Sequence, residues 1–136
     1  MPAGRGVTDR RRRARLLAIA LVAAILGAAS KRTTGPLREV AVGQLEDFFG
    51  TLFLILVPRA ALLHVAFWKV AAPVLAIVTA IEISQRFDGP WLTRARGTWI
   101  GLHVLGATFE WADLLAYALA GGAAFLVDRA LAPGAR

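Results

Sequence analysis

Two polar clusters interrupt long apolar stretches and contain the residue types best suited to chemistry. Glu82 and Gln85 lie three positions apart at the end of one apolar run, and Asp113 and Tyr117 lie four apart at the start of another. Such spacings place each pair on one face of a helix. A carboxylate at the centre of a membrane-spanning helix costs roughly 2.5–3.5 kcal/mol on insertion scales. These residues are therefore predicted either to bind a ligand or move a proton, or to tie helices together.

The composition places these clusters in a membrane protein. The chain has 136 residues, of which 57% are hydrophobic, and its mean hydropathy is +0.60. Soluble domains contain about 45–50% apolar residues. The excess is concentrated in long runs, which predicts an all-α bundle of four transmembrane helices over residues 16–129. The predicted spans are 16–30, 46–66, 70–85 and 110–127, between a basic tail at 1–15 and a short C-terminal tail at 130–136.

The first two spans carry features that need an explanation. Residues 16–30 are uncharged but short for a bilayer, so Arg15 and Lys31 are expected to snorkel to its surfaces. A cleaved signal peptide is the alternative. A small-residue stripe at Ala20, Ala24 and Ala28, beside Ala23-x-x-x-Gly27, favours a packed span instead. In the second span, Pro58 predicts a kink, and Arg59 is expected to snorkel as well.

The basic residues predict an orientation. With the N-terminus inside and four spans, ten Lys and Arg residues lie on the cytoplasmic side and six on the outer side, as the positive-inside rule requires. The expected location is a bacterial cytoplasmic membrane, crossed several times, with both termini cytoplasmic. This topology places Asp47, Glu82, Gln85 and Asp113 together at the outer ends of spans two, three and four.

Further residues between and beside these clusters complete the predicted site. Arg94 and Arg96 are the expected counter-ions of the carboxylates, although binding of lipid phosphate would explain them equally. Trp111 precedes Asp113 and is included in the candidate site. Residues 97–107 are too short to span and are expected to be interfacial or re-entrant. Four alanines at helical spacing are predicted to press against a neighbouring helix: Ala112, Ala116, Ala120 and Ala124.

Several function classes find no support in the sequence. The chain has no cysteine, and its two histidines, His64 and His103, lie far apart without ligand spacing, so neither a metal nor a cofactor is expected. Phosphate-binding, dinucleotide and nucleophile-elbow motifs are absent from the sequence. The net charge of +7 comes from residues that flank apolar runs, which predicts membrane lipid rather than nucleic acid as the partner.

The residues of both clusters carry a resemblance to a known family. The matching positions are Glu82-x-x-Gln85, Pro90-Trp91-Leu92, Arg94, Leu105-Gly106, Phe109 and Trp111-x-Asp113-Leu114-Leu115-x-Tyr117-Ala118. In these the chain resembles the small bacterial membrane proteins grouped as domain-of-unknown-function family 2809, best over residues 81–122. A more distant similarity is to VanZ-like membrane proteins, which are associated with the cell envelope. The resemblance implies a four-helix protein of the bacterial cytoplasmic membrane and implies no activity.

Three hypotheses follow from the sequence. The favoured one is a non-enzymatic cell-envelope protein that binds a lipid headgroup or cell-wall component at an outer-facing polar site. The second is a membrane-embedded enzyme in which Glu82 and Asp113 act as acid and base. The third is a small transporter subunit. The small-residue stripes also allow a homo-oligomer held together by helix contacts.

Overall fold

The computed structural model describes residues 3–87, 89–101 and 109–132, and within these the chain is all-helical. We number the helices in chain order. They are α1 (Ala3–Ser30), α2 (Arg38–Ala61), α3 (Phe67–Ser84), α4 (Pro90–Arg96) and α5 (Trp111–Ala130). Helix α2 contains one π-helical turn, at Ala41–Leu45.

Four of the helices, α1, α2, α3 and α5, are long and apolar enough to cross a membrane. Their outward faces carry large apolar side chains, such as Leu21 and Ile25 on α1, Ile77 on α3 and Leu126 on α5. Exposed side chains of this kind are stable in lipid and costly in water. The predicted all-α bundle is therefore confirmed, and the chain is a multi-pass membrane protein.

Small residues set the distance between α1 and α2, which form the most extensive helix pair. A Cβ atom at Gly27 would lie 3.4 Å from the Cβ of Phe49 on α2, which is van der Waals contact, so there is room here for a residue no larger than alanine. The buried face of α1 contains Leu16, Ala20 and Ala23, whereas Ala28 is exposed. The packed stripe is thus the one through Ala23 and Gly27.

A second small-residue surface lies on α5. Ala116, Ala120 and Ala124 are buried in the core as predicted, but Ala112 is exposed. Beside them, a Cβ atom at Gly121 would lie 3.0 Å from the Cδ1 of Leu75 on α3. The alanine face therefore brings α5 against its neighbours over most of its length, and residue 112 lies beyond the contact.

The ends of the first two spans differ from the prediction. The segment 1–15 is helical from Ala3, so the predicted tail continues the first span. At 1.5 Å per residue, α1 is about 42 Å long, well above the roughly 30 Å of hydrocarbon. Helix α2 begins at Arg38 rather than at 46 and ends at Ala61 rather than at 66, with Pro58 in its last turn. Proline lacks the N–H that would donate to the carbonyl four residues earlier, so Pro58 removes one α-helical hydrogen bond close to the end of α2.

Arg59 is buried rather than snorkelling. Its Nε donates to Asp128 Oδ1 at 2.7 Å, and its Nη1 donates to the carbonyls of Leu62 and Val65, which follow the end of α2. The Nη2 of Arg12 donates to the same Asp128 oxygen at 2.8 Å. We call Arg12, Arg59 and Asp128 the arginine triad and name this end of the bundle the arginine end. The triad joins α1, α2 and α5.

The opposite end of the bundle contains the acidic residues. Here α2 begins, α3 ends and α5 begins, so Asp47, Glu82 and Asp113 come to one level. The ion pair between Lys31 Nζ and Glu46 Oε1, 2.7 Å apart, joins α1 to α2 at this level. We call this the carboxylate end. The predicted gathering of these acids at one end of the bundle is what the structure shows.

Replacing Asp128 with Asn is expected to destabilise the bundle strongly. The change would leave two buried arginines with no carboxylate between them, and breaking a buried ion pair typically costs about 3–5 kcal/mol. Thermal unfolding of the detergent-solubilised protein would measure the effect. The control is Asp9→Asn, which removes an exposed acid from α1. Equal stability of the two variants would show that the triad does not stabilise the fold.

The orientation is testable because the chain has no cysteine of its own. Single cysteines at Thr34 and Arg94, both exposed at the carboxylate end, are expected to react with an impermeant thiol reagent added to intact cells. Gly35 is unsuitable for this purpose because its φ of +90° would strain any side chain. A cysteine at Ala130, at the arginine end, should be protected. The reverse labelling pattern would show that the chain has the opposite orientation in the membrane.

Candidate functional site

Glu82 lies at the centre of the carboxylate end and is 3% exposed. Its Oε1 accepts the backbone N–H of Glu110 at 3.0 Å, immediately before α5. Its Oε2 accepts from Gln85 Nε2 at 3.1 Å and from the Tyr117 hydroxyl at 3.4 Å. Glu82 therefore ties the end of α3 to the beginning of α5, and its hydrogen bonds compensate part of the cost of burying a charge.

Two further carboxyl groups lie beside Glu82. Asp113, on the first turn of α5, is 8% exposed. Its carboxyl group lies close enough to those of Asp47 on α2 and Glu82 on α3 to interact with both electrostatically. We call Asp47, Glu82 and Asp113 the carboxylate cluster. The described ion pairs of the chain involve other acids, namely Glu46 and Asp128.

Gln44 connects the carboxylate cluster to the surface. Its Nε2 donates to Glu110 Oε2 at 3.1 Å and more weakly to Asp113 Oδ1 at 3.4 Å. Gln44 belongs to the π-helical turn of α2. Such turns are rare and occur frequently at functional sites. The widened turn here carries an amide group that reaches two acids of α5.

A cavity of about 490 Å³ opens beside Gln44 and Asp113. Its described lining combines the start of α2 with the start of α5, and it carries charges of both signs. The polar and charged lining residues are Arg38, Glu39, Gln44, Glu110 and Asp113. Pockets that bind small molecules typically measure about 300–1,000 Å³. The cavity is thus large enough for a small polar group and reaches the carboxylate cluster through Asp113.

The structure brings together most of the predicted site but not all of it. Asp47, Glu82, Gln85, Asp113 and Tyr117 converge as described. Arg94 is exposed on α4, and Arg96 donates to the carbonyls of Ser84 and Phe87 at 2.7 and 3.4 Å. The expected pairing of either arginine with Glu82 or Asp113 is therefore wrong. Arg96 instead donates to the carbonyl of the last residue of α3 and to one carbonyl beyond the end of that helix.

Trp111 also lies away from the carboxylate cluster. It is 70% exposed, and its ring meets Phe109 edge to face with centroids 5.1 Å apart. The Arg86 guanidinium lies over both rings, at 5.0 Å from the Phe109 centroid and 5.7 Å from that of Trp111. Such contacts are typical of cation–π pairs. Of the segment 97–107, residues 102–107 lie outside the described residues.

Three contributors to the site were missed at the level of sequence: Gln44, Arg38 and the backbone N–H of Glu110. Residues 31–46 are polar and contain Gly35-Pro36, which favours a connection over a helix. In a non-helical connection, Glu39 and Gln44 cannot be assigned to a face of any helix. Hydrophobic periodicity predicts α-helices but does not reveal a π-helical turn within one. The direction in which Gln44 faces could therefore not be predicted from the sequence. Among the described residues, no group of side chains is arranged to hold a metal ion.

A double-mutant cycle tests the connections of Glu82. Glu82→Gln and Tyr117→Phe should be non-additive in thermal stability, because both changes affect one hydrogen bond. Glu82→Gln and Arg94→Gln should add, because Arg94 is exposed on another helix. The first coupling is expected to be about 0.5–1.5 kcal/mol. If Glu82 were coupled to Arg94 and not to Tyr117, the result would support the ion pair expected from the sequence and contradict the observed hydrogen bond.

Comparison with known proteins supports the resemblance noted in the sequence. Residues 37–121 match the model of the family described as protein of unknown function, DUF2809. The matched region begins just before α2 and ends within α5, so it contains every residue of the carboxylate cluster. No curated protein and no solved structure shows a significant match. The chain belongs to the DUF2809 family of proteins of unknown function.

Proposed function

We propose that this chain is a non-enzymatic protein of the bacterial cell envelope that binds the headgroup of a membrane lipid at its carboxylate end. The observation that supports this best is the cavity of about 490 Å³ beside Asp113, whose described lining carries both positive and negative charge. The described lining offers charges and hydrogen bonds but no hydroxyl, thiol or imidazole group. These charged and hydrogen-bonding groups are suited to holding a polar ligand.

The ligand class follows from the charges. The three carboxyl groups of the carboxylate cluster repel one another when ionised, so a cationic group bound beside Asp113 is stabilised. Glu110 and Asp113 supply this acidic side of the cavity, and Gln44 orients both. Arg38 supplies the one cation in the described lining. A zwitterionic headgroup with an ammonium and a phosphate, as in phosphatidylethanolamine, complements this arrangement.

The location of the cavity agrees with a lipid ligand. Asp113 lies in the first turn of a membrane-spanning helix, and Arg38 begins another. Both are therefore expected near the level of the headgroups. If the positive-inside rule holds for this chain, the arginine end faces the cytoplasm and the cavity faces the outer leaflet. Both termini would then be cytoplasmic, in the bacterial cytoplasmic membrane.

Lipid binding to the detergent-purified chain tests the proposal. Native mass spectrometry should show saturable binding of phosphatidylethanolamine. Asp113→Asn and Arg38→Gln should each weaken the binding at least about tenfold, because each removes a charged hydrogen bond worth roughly 1.5–3 kcal/mol. The matched controls are Glu46→Gln and Arg32→Gln, which change charges at the same end outside the described cavity lining. Equal binding by all four variants would overturn the proposal.

The nature of the headgroup is tested with the same preparation. Phosphatidylcholine carries a quaternary ammonium that cannot donate N–H hydrogen bonds, so its binding should be weaker than that of phosphatidylethanolamine. Phosphatidylglycerol has no cation to place beside Asp113 and should bind weakest at this site. Binding of phosphatidylethanolamine that Asp113→Asn leaves unchanged would contradict an acidic recognition site.

A further inference from the structure

The arginine triad carries an unbalanced charge in a buried place. Arg59 is 4% exposed and Asp128 7% exposed, and the side chain of Arg12 is also largely buried. Both arginines bind the same carboxylate oxygen, Asp128 Oδ1. Two guanidinium groups and one carboxylate leave a net charge of about +1. Because an uncompensated buried charge is costly, this group of residues is better suited to two anions than to one.

The two guanidinium groups also retain unused donors. Arg12 donates from its Nη2 to Asp128, and its Nε is buried without a hydrogen-bond partner. Arg59 donates from its Nε to Asp128 and from its Nη1 to two backbone carbonyls. Among the described residues, Arg12 Nη1 and Arg59 Nη2 donate no hydrogen bond to another protein group. These donors are available for an anionic group at the edge of the triad.

The surroundings indicate where such an anion comes from. Arg11 and Arg13 on α1 and Arg129 on α5 are exposed at the same end of the bundle. Here too, an apolar groove of about 550 Å³ follows the start of α3, lined by Trp68, Lys69, Ala72, Pro73 and Ala76. The Lys69 ammonium lies 5.5 Å from the Trp68 ring centroid. Basic groups at the same end of the bundle as an apolar groove suit a phosphate that is attached to an acyl chain.

We infer that the arginine triad is the phosphate-binding site of an anionic phospholipid at the arginine end, separate from the cavity at the carboxylate end. The lipid phosphate accepts hydrogen bonds from Arg12 and Arg59 and balances the charge that Asp128 leaves over. The planar guanidinium presents several donors in a fixed fork, which a lysine ammonium does not. The inference does not depend on the orientation of the chain or on the lipid bound at the carboxylate end.

Arg12→Lys is the informative variant, because it keeps the charge and can still pair with Asp128 but removes the guanidinium fork. Binding of phosphatidylglycerol to the purified chain, followed by native mass spectrometry, is expected to weaken about tenfold. Arg13→Lys is the matched control, since Arg13 is exposed on the next position of α1. It should bind as the unchanged chain does. Thermal unfolding without lipid identifies any variant that has lost its fold.

The outcomes separate a specific site from a basic surface. Equal binding by Arg12→Lys and Arg13→Lys, with both folded, would overturn the inference, because a diffuse charge would then explain the lipid. Inorganic phosphate should fail to displace the lipid at equal concentration, and displacement would identify the free ion as the ligand instead. Asp113→Asn should leave phosphatidylglycerol binding unchanged. The two proposals can therefore fail independently.

Discussion

A charged side chain inside a bilayer must find its partner within the protein, and this constraint organises the whole bundle. Asp128 satisfies it by accepting from Arg12 and Arg59 at once, which fixes α1, α2 and α5 to one another at one end. Glu82 satisfies it at the other end with three hydrogen bonds, two of which join α3 to the start of α5. The polar residues thus determine the register of the helices, while lipid-facing side chains leave it undetermined.

Between the two polar ends, the helices associate through small residues. Apolar burial contributes little between helices in lipid, so close packing must supply the attraction. Gly27 on α1 and the alanines of α5 allow that packing, and Ile55 and Leu56 on α2 fill the space between them. Helix α2 therefore occupies the middle of the bundle and carries one residue of each polar group, Asp47 and Arg59. A shift of α2 along its axis would disturb both ends together.

Much of this arrangement could be predicted from the sequence, because it depends on features with a clear physical cost. Apolar runs predicted the four spans, and the rarity of carboxylates in such runs selected Asp47, Glu82 and Asp113. The partners were harder to predict. Arg94 and Arg96 lie close in sequence to Glu82, yet Glu82 is satisfied by a backbone N–H, an amide and a hydroxyl. Arg12 and Asp128 are 116 positions apart, and no local pattern relates them.

The predicted helix boundaries were wrong for a related reason. Polar residues at 31–46 and the arginines before residue 16 were interpreted as solvated segments, because a helix continuing beyond the hydrocarbon carries no apolar period there. In the structure residues 3–15 and 38–46 of these segments are helical, and each helical part places a functional candidate: Arg12 on α1 and Gln44 on α2. Helices that extend past the membrane core are the part of this fold that hydropathy describes least well.

The π-helical turn at Ala41–Leu45 has a consequence for how this chain can change over evolutionary time. Such a turn is equivalent to one residue inserted into an α-helix, and one residue rotates everything before it by about 100°. Arg38 and Glu39 precede the turn, whereas Asp47 follows it. The turn therefore sets the angular phase between the cavity rim and the carboxylate cluster. Loss of a single residue here would rotate Arg38 away from Asp113 without altering the core side chains of α2 that follow the turn.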